Sequence, residues 1–168
     1  MRIPAAVTRV VDWSLEGLGG AAFVAPLLTR IVIGLAFVQT GLGKWTHIDR
    51  TIHYFAGLGI PLPAANAVFV ASLELVGGSA LVAGLLTRLF AGFLSMTMVV
   101  ALLTADRQAF LTSWSRASET SPTDVTSFVF LLFLLWLLFL GAGRLSLDQL
   151  LRSRLMSSGR PRRPEPAT

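Results

Sequence analysis

The chain has 168 residues, of which 54% are hydrophobic and 14% charged, and its mean hydropathy is +0.69. About a quarter of the residues of a soluble domain would be charged, so the composition indicates one integral membrane domain with short ends and no separate soluble catalytic domain. The chain has no cysteine and two histidines, which excludes disulfides, iron–sulfur clusters and thiolate zinc sites and argues against a bis-histidine haem. The net charge is +5, but the basic residues flank apolar segments, which favours contact with anionic lipid over nucleic acid.

The N-terminal segment, residues 1–20, is predicted to be an amphipathic helix that lies in the membrane interface. Apolar residues recur there at helical spacing, while Arg9, Asp12 and Glu16 fall largely on the opposite face. The same charges interrupt the apolar run and argue against a signal peptide.

Four long apolar segments follow, each close to the roughly 20 residues that cross a bilayer. Pro63 suits the first position of the second span and Gly84 suits its end. The very short connection that follows makes the second and third spans an antiparallel hairpin, and Ser121 with Pro122 predicts the start of the fourth. The predicted spans are residues 21–42, 63–83, 88–105 and 122–140.

A short surface helix is expected after the fourth span, because Ser146 and Gln149 have the spacing of a capping box. It ends the predicted membrane domain, residues 21–156, and the tail of residues 157–168 is rich in proline and arginine and expected to be disordered. The predicted fold class is therefore all-α, an integral membrane four-helix bundle with an N-terminal interfacial helix and a short C-terminal surface helix.

The distribution of lysine and arginine predicts the orientation. If both ends lie on one side, that side carries nine basic residues and the other side four, with Arg30 left within the membrane. By the positive-inside rule both termini are cytoplasmic, and we expect a multi-pass protein of a bacterial inner (plasma) membrane. The nine are Arg2, Arg9, Arg88, Arg144, Arg152, Arg154, Arg160, Arg162 and Arg163, and the four are Lys44, Arg50, Arg107 and Arg116.

Two charged residues, Arg30 and Glu74, lie inside predicted spans. Each is about 14 Å from the cytoplasmic end of its span. A charge at such depth costs at least about 2.5–3.5 kcal/mol unless it is paired or faces protein or water. The sequence therefore predicts an intramembrane Arg30–Glu74 ion pair. This pair either only fixes the register of the helices or, in the functional alternative, binds a polar head group or takes part in proton movement.

Glycines accompany both charges. Gly34 and Gly41 share a helix face with the arginine, and Gly77 and Gly78 share a face with the glutamate. Because glycine lets helix backbones approach closely, which is how membrane helices pack without a hydrophobic force between them, these four residues are predicted to mediate helix packing.

Polar residues cluster at the outer end of the first span. Lys44 is expected to extend to the lipid head groups, with contact to an anionic group or to a partner's carboxylate as the alternative. His47, Asp49 and His53 follow closely, but their spacing matches no specific metal site. We interpret them as surface residues and expect no bound metal.

Six motifs follow one another along the membrane part: Arg30-x-x-x-Gly34-x-x-Phe37, Gly41-x-x-Lys44, Leu58-Gly59-Ile60-Pro61, Glu74-x-x-Gly77-Gly78, Gly84-Leu85-Leu86-Thr87-Arg88 and Gly141-x-Gly143-Arg144-Leu145-Ser146-Leu147-Asp148. In this order they resemble the DoxX family of membrane proteins, and the resemblance covers residues 26–151. One departure is Thr40, where many relatives have a histidine, so no role of that histidine carries over.

The resemblance implies a redox neighbourhood. The family takes its name from a membrane subunit associated with a terminal quinol oxidase and with thiosulfate:quinone oxidoreductase, and other members are associated with oxidative or metal stress and act beside partner proteins. We therefore expect an accessory or anchoring subunit of a membrane redox or stress-defence assembly. Such a subunit would have no intrinsic cofactor, no activity on its own, and a membrane or periplasmic protein partner.

Two alternatives stay open. In the first, the chain is a quinone-linked oxidoreductase component of the thiosulfate:quinone type, with Arg30, Glu74 and Lys44 contacting the quinone as hydrogen-bond donors and a proton source. In the second, it is a small transporter in which Glu74 titrates, a weaker reading because no inverted repeat is evident. A homo-oligomer is compatible with each of these.

Overall fold

The computed structural model describes residues 23–115, 119–141, 143 and 146–149, and these residues form helices and turns without β-strands. The all-α class is thereby confirmed, whereas the predicted interfacial helix of residues 1–20 and the tail of residues 157–168 lie outside the described residues. The helices are α1 (Val24–Thr46), α2 (Ile48–Gly57), α3 (Pro63–Ala83), α4 (Thr87–Leu103), α5 (Arg107–Thr112) and α6 (Thr126–Leu140), with a 3-10 helix at Pro122–Asp124.

The four bundle helices are α1, α3, α4 and α6. With 23 and 21 residues, α1 and α3 are long and apolar enough to cross a membrane, whereas α4 and α6 are apolar but have 17 and 15 residues. The fourth helix begins later than predicted because the backbone of Val125 is extended after the 3-10 helix, whose Asp124 carboxylate accepts the Ser121 amide at 2.7 Å. Residues 43–62, which connect the first two predicted spans, are themselves mostly helical, since α1 continues to Thr46 and α2 follows it.

The helices pack as two pairs around a shared core. α1 packs chiefly against α3 and α4 chiefly against α6, while the α3–α4 hairpin joins the pairs and α2 lies against α3. Side chains from all four helices meet at the centre, where they exclude lipid from the bundle interior. The core residues are Ile33, Phe37, Leu81, Ala91, Leu94, Leu134 and Leu137.

Glycines bring α1 and α3 into backbone contact. A Cβ atom placed on Gly34 would lie 2.7 Å from the carbonyl oxygen of Gly78, and one placed on Gly78 would lie 2.7 Å from the carbonyl oxygen of Gly34. Farther along α1, a Cβ on Gly41 would lie 2.6 Å from the amide nitrogen of Leu75. No side chain fits at these positions without moving backbone, so the glycines set both the spacing and the axial register of the two helices.

The segment after α6 returns to the end of the bundle at which α1 begins. A Cβ on Gly143 would lie 3.4 Å from the Cβ of Pro26. A helical stretch starts at 147, and the Gln149 amide donates to Ser146 Oγ at 3.2 Å, which is the cap expected from their spacing.

Candidate functional site

Glu74, near the middle of α3, is the one acidic residue of the four bundle helices, and it is buried. Lys44 Nζ donates to Glu74 Oε2 at 2.5 Å, and the two form an ion pair. The Glu74 side chain is 4% exposed and that of Lys44 is 26% exposed. The pair therefore joins an acid enclosed by helices to a cation that is partly open to the surroundings.

The position of Lys44 follows from helix geometry. Side chains of an α-helix tilt toward its N-terminus, so a lysine near the C-terminal end of α1 extends back along the bundle. Gly41, one turn earlier, brings α3 against α1 here, because its missing side chain leaves room for Leu75 and for the carbonyl of Ala71. The expectation that Lys44 extends to the lipid head groups is corrected: its ammonium group turns inward and bonds to Glu74.

Arg30 lies elsewhere, and the predicted Arg30–Glu74 pair is not the arrangement in the structure. Arg30 is buried, and a Cβ placed on Gly84 would overlap its guanidinium group. Gly84 caps the end of α3 and follows Glu74 by ten residues, which is about 15 Å along a helix axis. The prediction failed because it placed the ends of the two spans level, whereas the glycine contacts align Arg30 with the end of α3 and Gly41 with Glu74.

A second carboxylate, Asp148, fastens the segment after α6 to the α3–α4 turn. Its oxygens accept the backbone amides of Leu86 at 2.7 Å and Thr87 at 3.1 Å, and its own amide donates to the carbonyl of Gly84 at 3.0 Å. These amides belong to the N-terminus of α4, where a negative charge is favourable. Asp148 and the Arg30 guanidinium group both lie against Gly84.

Sequence reasoning gave Asp148 no role. It stands two residues after the predicted capping serine and ends a quoted motif of the family resemblance, which was the available signal. The bond to Leu86 also explains an unusual conformation, since Leu86 has a φ of +47° and this left-handed backbone is costly for a residue other than glycine.

The outer polar residues stay apart from the buried pair. His47 Nδ1 lies 2.9 Å from Thr46 Oγ1 and 3.2 Å from the carbonyl oxygen of Gly43. Within residues 23–115, 119–141, 143 and 146–149, no three histidine or acidic side chains are grouped as they would be around a metal ion.

The arrangement has a limited chemical repertoire. A lysine and a glutamate in direct contact can exchange a proton. The lysine ammonium group can also donate a hydrogen bond to a third group that displaces the carboxylate. Because Lys44 is the more exposed partner, such a group would reach the pair from the side of Lys44. Arg30 and Asp148 lie apart from this pair, near Gly84 at the C-terminal end of α3.

Comparisons with known proteins identify relatives of this chain. The DoxX family model matches residues 25–107. The chain is 33% identical over 86 residues to CatD of Bacillus subtilis (strain 168), which is named as a candidate oxidoreductase. The aligned residues are 51% of this chain and 63% of that protein. It is 34% identical over 70 residues to the inner membrane protein YphA of Escherichia coli (strain K12), and these residues are 42% of this chain and 50% of that protein.

The chain thus spans between half and two thirds of the length of these curated relatives. No solved structure matches it. The apolar helices, the matched segment from α1 to the start of α5 and the inner-membrane relative agree on a helical membrane protein. Residues 25–107 of the chain belong to the DoxX family.

Proposed function

We propose that this protein is an accessory subunit of a membrane redox assembly, in which partner proteins carry the electron-transferring groups. The observation that carries the proposal is that the charged groups within the bundle hold helices together. Glu74 bonds to Lys44 across α1 and α3, and Asp148 bonds to the N-terminus of α4. The sequence has no cysteine to bind a redox metal through thiolates, and one relative is named for oxidoreductase activity.

The proposal includes a location and an orientation. We place the chain in a bacterial inner membrane with four spans and both termini cytoplasmic. The nine-to-four distribution of basic residues supports this orientation, as does the closeness of Gly143 to Pro26 at one end of the bundle. α4 and α6 rise about 26 and 22 Å, so spanning requires local thinning of the bilayer or flanking residues that complete the crossing.

Purification of the tagged chain from its native membranes in mild detergent tests the accessory role. We expect a redox enzyme subunit in a stoichiometric amount, and we expect deletion of the chain to lower the membrane oxygen consumption that depends on that enzyme. A deletion strain complemented with the chain is the matched control. If the chain elutes alone and the deletion leaves respiratory and quinone-reducing rates unchanged, the proposal is wrong.

A quinone site at the Lys44–Glu74 pair is the second candidate, and the exposure of Lys44 beside the buried Glu74 is the observation that favours it. A quinone carbonyl accepts hydrogen bonds, and its reduction to quinol takes two protons with two electrons, which a partner's redox centre would supply. Lys44 would donate the hydrogen bond, and Glu74 would relay the two protons, one after the other, from water on the exposed side of Lys44 to the quinone oxygens. Arg30 lies at Gly84 and is left out of this site.

The substitution Glu74→Gln separates the two candidates. For the quinone site, we expect the variant to fold and assemble while quinone-dependent turnover falls by at least about tenfold, the scale of a lost proton donor. For the accessory role, we expect the assembled enzyme to keep its turnover per complex, with a loss only of thermal stability.

A further inference from the structure

A cleft opens at the end of the bundle opposite the Lys44–Glu74 pair, between the start of α4 and the end of α6. Its volume is about 330 Å³. Polar and charged groups line it together with the glycine that ends α6. Its lining residues include Arg88, Leu140, Gly141, Ser146, Asp148 and Gln149.

Arg88 is the cation of this cleft. Its Nη2 donates to the carbonyl oxygen of Phe139 at 3.1 Å, and its Nε would lie 3.1 Å from a Cβ placed on Gly141. The guanidinium group therefore rests on the backbone that ends α6. In the part of the chain that the structure describes, no carboxylate lies within ion-pair distance of Arg88. A guanidinium group has five N–H donors, so most of the donors of Arg88 are available to a ligand.

The carboxylate in the same cleft is already engaged. Asp148 accepts the amides of Leu86 and Thr87, and its own amide donates to the carbonyl of Gly84, the residue against which the Arg30 guanidinium group lies. The hydroxyl of Ser146 donates to the carbonyl of Gly143 and accepts the amide of Gln149. The charge that the cleft presents to a ligand is thus the positive charge of Arg88.

The surface beside the cleft is apolar and exposed. Phe139, Leu140 and Leu89 are 75, 54 and 51% exposed, and they belong to helices of a membrane protein. A polar cleft that carries a cation and borders a lipid-facing surface has both of the features that a phospholipid requires. Basic pockets between membrane helices are known to bind anionic head groups.

We propose that this cleft binds the phosphate group of an anionic phospholipid, with the Arg88 fork as its donor and the acyl chains lying over Phe139, Leu140 and Leu89. A planar guanidinium group matches two phosphate oxygens, which a lysine does not. The site is separate from the Lys44–Glu74 pair and does not depend on the redox role. By bridging α4, α6 and the segment 146–149, the lipid would hold the end of the bundle closed.

Native mass spectrometry of the delipidated full chain, titrated with phosphatidylglycerol and separately with phosphatidylcholine, tests the site. We expect phosphatidylglycerol to bind more tightly, and Arg88→Gln to weaken its binding at least about fivefold, the loss of one basic contact near an anionic surface. Arg107→Gln is the matched control, because it removes an exposed arginine at the other end of the bundle. Equal weakening by both variants would mean general charge attraction and overturn the proposal.

A second variant keeps the test valid if loss of the Arg88–Phe139 bond prevents folding. Gln149→Glu adds a negative charge to the cleft and leaves Arg88 in place, so we expect it to weaken phosphatidylglycerol binding while Gln149→Ala does not. Unchanged binding in Gln149→Glu would overturn the site. Competition with inorganic phosphate distinguishes the two sources of a phosphate group. If inorganic phosphate displaces the lipid at equal concentration, the occupant is a free phosphate and the lipid assignment is wrong.

Discussion

The two helix pairs of the bundle are held together by different contacts. α1 and α3 meet through backbone, with Gly34 against Gly78 and Gly41 against Leu75, so closely that a methyl group would overlap main-chain atoms. α4 and α6 meet through side chains, and a Cβ on Gly92, the glycine of α4, would make an ordinary 3.7 Å contact with Leu138. The first interface admits one spacing, whereas side-chain rotamers can adjust the second.

The Lys44–Glu74 pair lies at the α1–α3 interface, where the backbones are in contact. Lys44 and Glu74 belong to α1 and α3, and the turn of α1 that carries Gly41 packs against Leu75, the residue next to Glu74. Backbone contact at this point fixes the distance across which the lysine must bond. The close glycine contacts therefore have two effects: they pack α1 against α3, and they position a polar pair inside the bundle.

Lys44→Met should have the largest effect on stability. It leaves the Glu74 carboxylate, 4% exposed, without its cation, and breaking a buried pair in this way costs about 3 kcal/mol. Reversible unfolding of the protein in mixed dodecyl maltoside and SDS micelles, followed by circular dichroism, measures the loss. Arg50→Met, which removes an exposed cation from α2, is the control, and an equal cost for both variants would contradict a structural role of the pair.

The double variant Lys44→Met, Glu74→Leu sharpens this test. Replacing both members of a buried pair by apolar residues is often nearly neutral. We therefore expect the double variant to be more stable than Lys44→Met alone. A double variant that is less stable than the single one would mean that Glu74 has a further partner.

Gly34→Ala should have the next largest effect, and it tests the backbone contact between α1 and α3 directly. The added methyl group would lie 2.7 Å from the Gly78 carbonyl oxygen and 3.0 Å from the Val82 amide nitrogen, so α1 and α3 must separate, at a cost of about 2 kcal/mol. Gly43→Ala is the matched control on the same helix, because nothing lies within 4 Å of its Cβ position. Equal unfolding free energies for the two variants in the same micelles would show that the helices are free to separate.

Asp148→Ala should have a smaller effect, confined to the end of the bundle. The loss of two amide hydrogen bonds at the start of α4 costs about 1 kcal/mol, the usual effect of removing a helix cap. Asp49→Ala removes an acid from the first turn of α2, where no side-chain cap bond exists, and provides the baseline. Hydrogen exchange of the Leu86 and Thr87 amides locates the effect, and unchanged protection there would contradict the capping role.

The sequence allowed the helices to be predicted but not their axial register. Pro63 and Gly84 mark the bounds of α3 because proline lacks an amide and glycine adopts a positive φ at a helix end. The offset between α1 and α3 depends on which glycines face each other, and a chain with several glycines on each helix allows more than one answer. Measuring depth from the predicted helix ends led to the Arg30–Glu74 pair, whereas the contact of Gly34 with Gly78 leads to Lys44–Glu74.

Gly92→Ala should have the smallest effect, and its sign should be opposite to that of Gly34→Ala. The new methyl group would meet Leu138 Cδ1 at an ordinary 3.7 Å, so no backbone must move. Alanine in a helix interior is favoured over glycine by about 0.5–1 kcal/mol, because alanine loses less backbone conformational entropy than glycine when the chain folds. We therefore expect a gain of about 0.5 kcal/mol in the same unfolding measurement. A loss comparable to that of Gly34→Ala would mean that α4 and α6 are also in fixed backbone contact, and the contrast between the two interfaces would no longer hold.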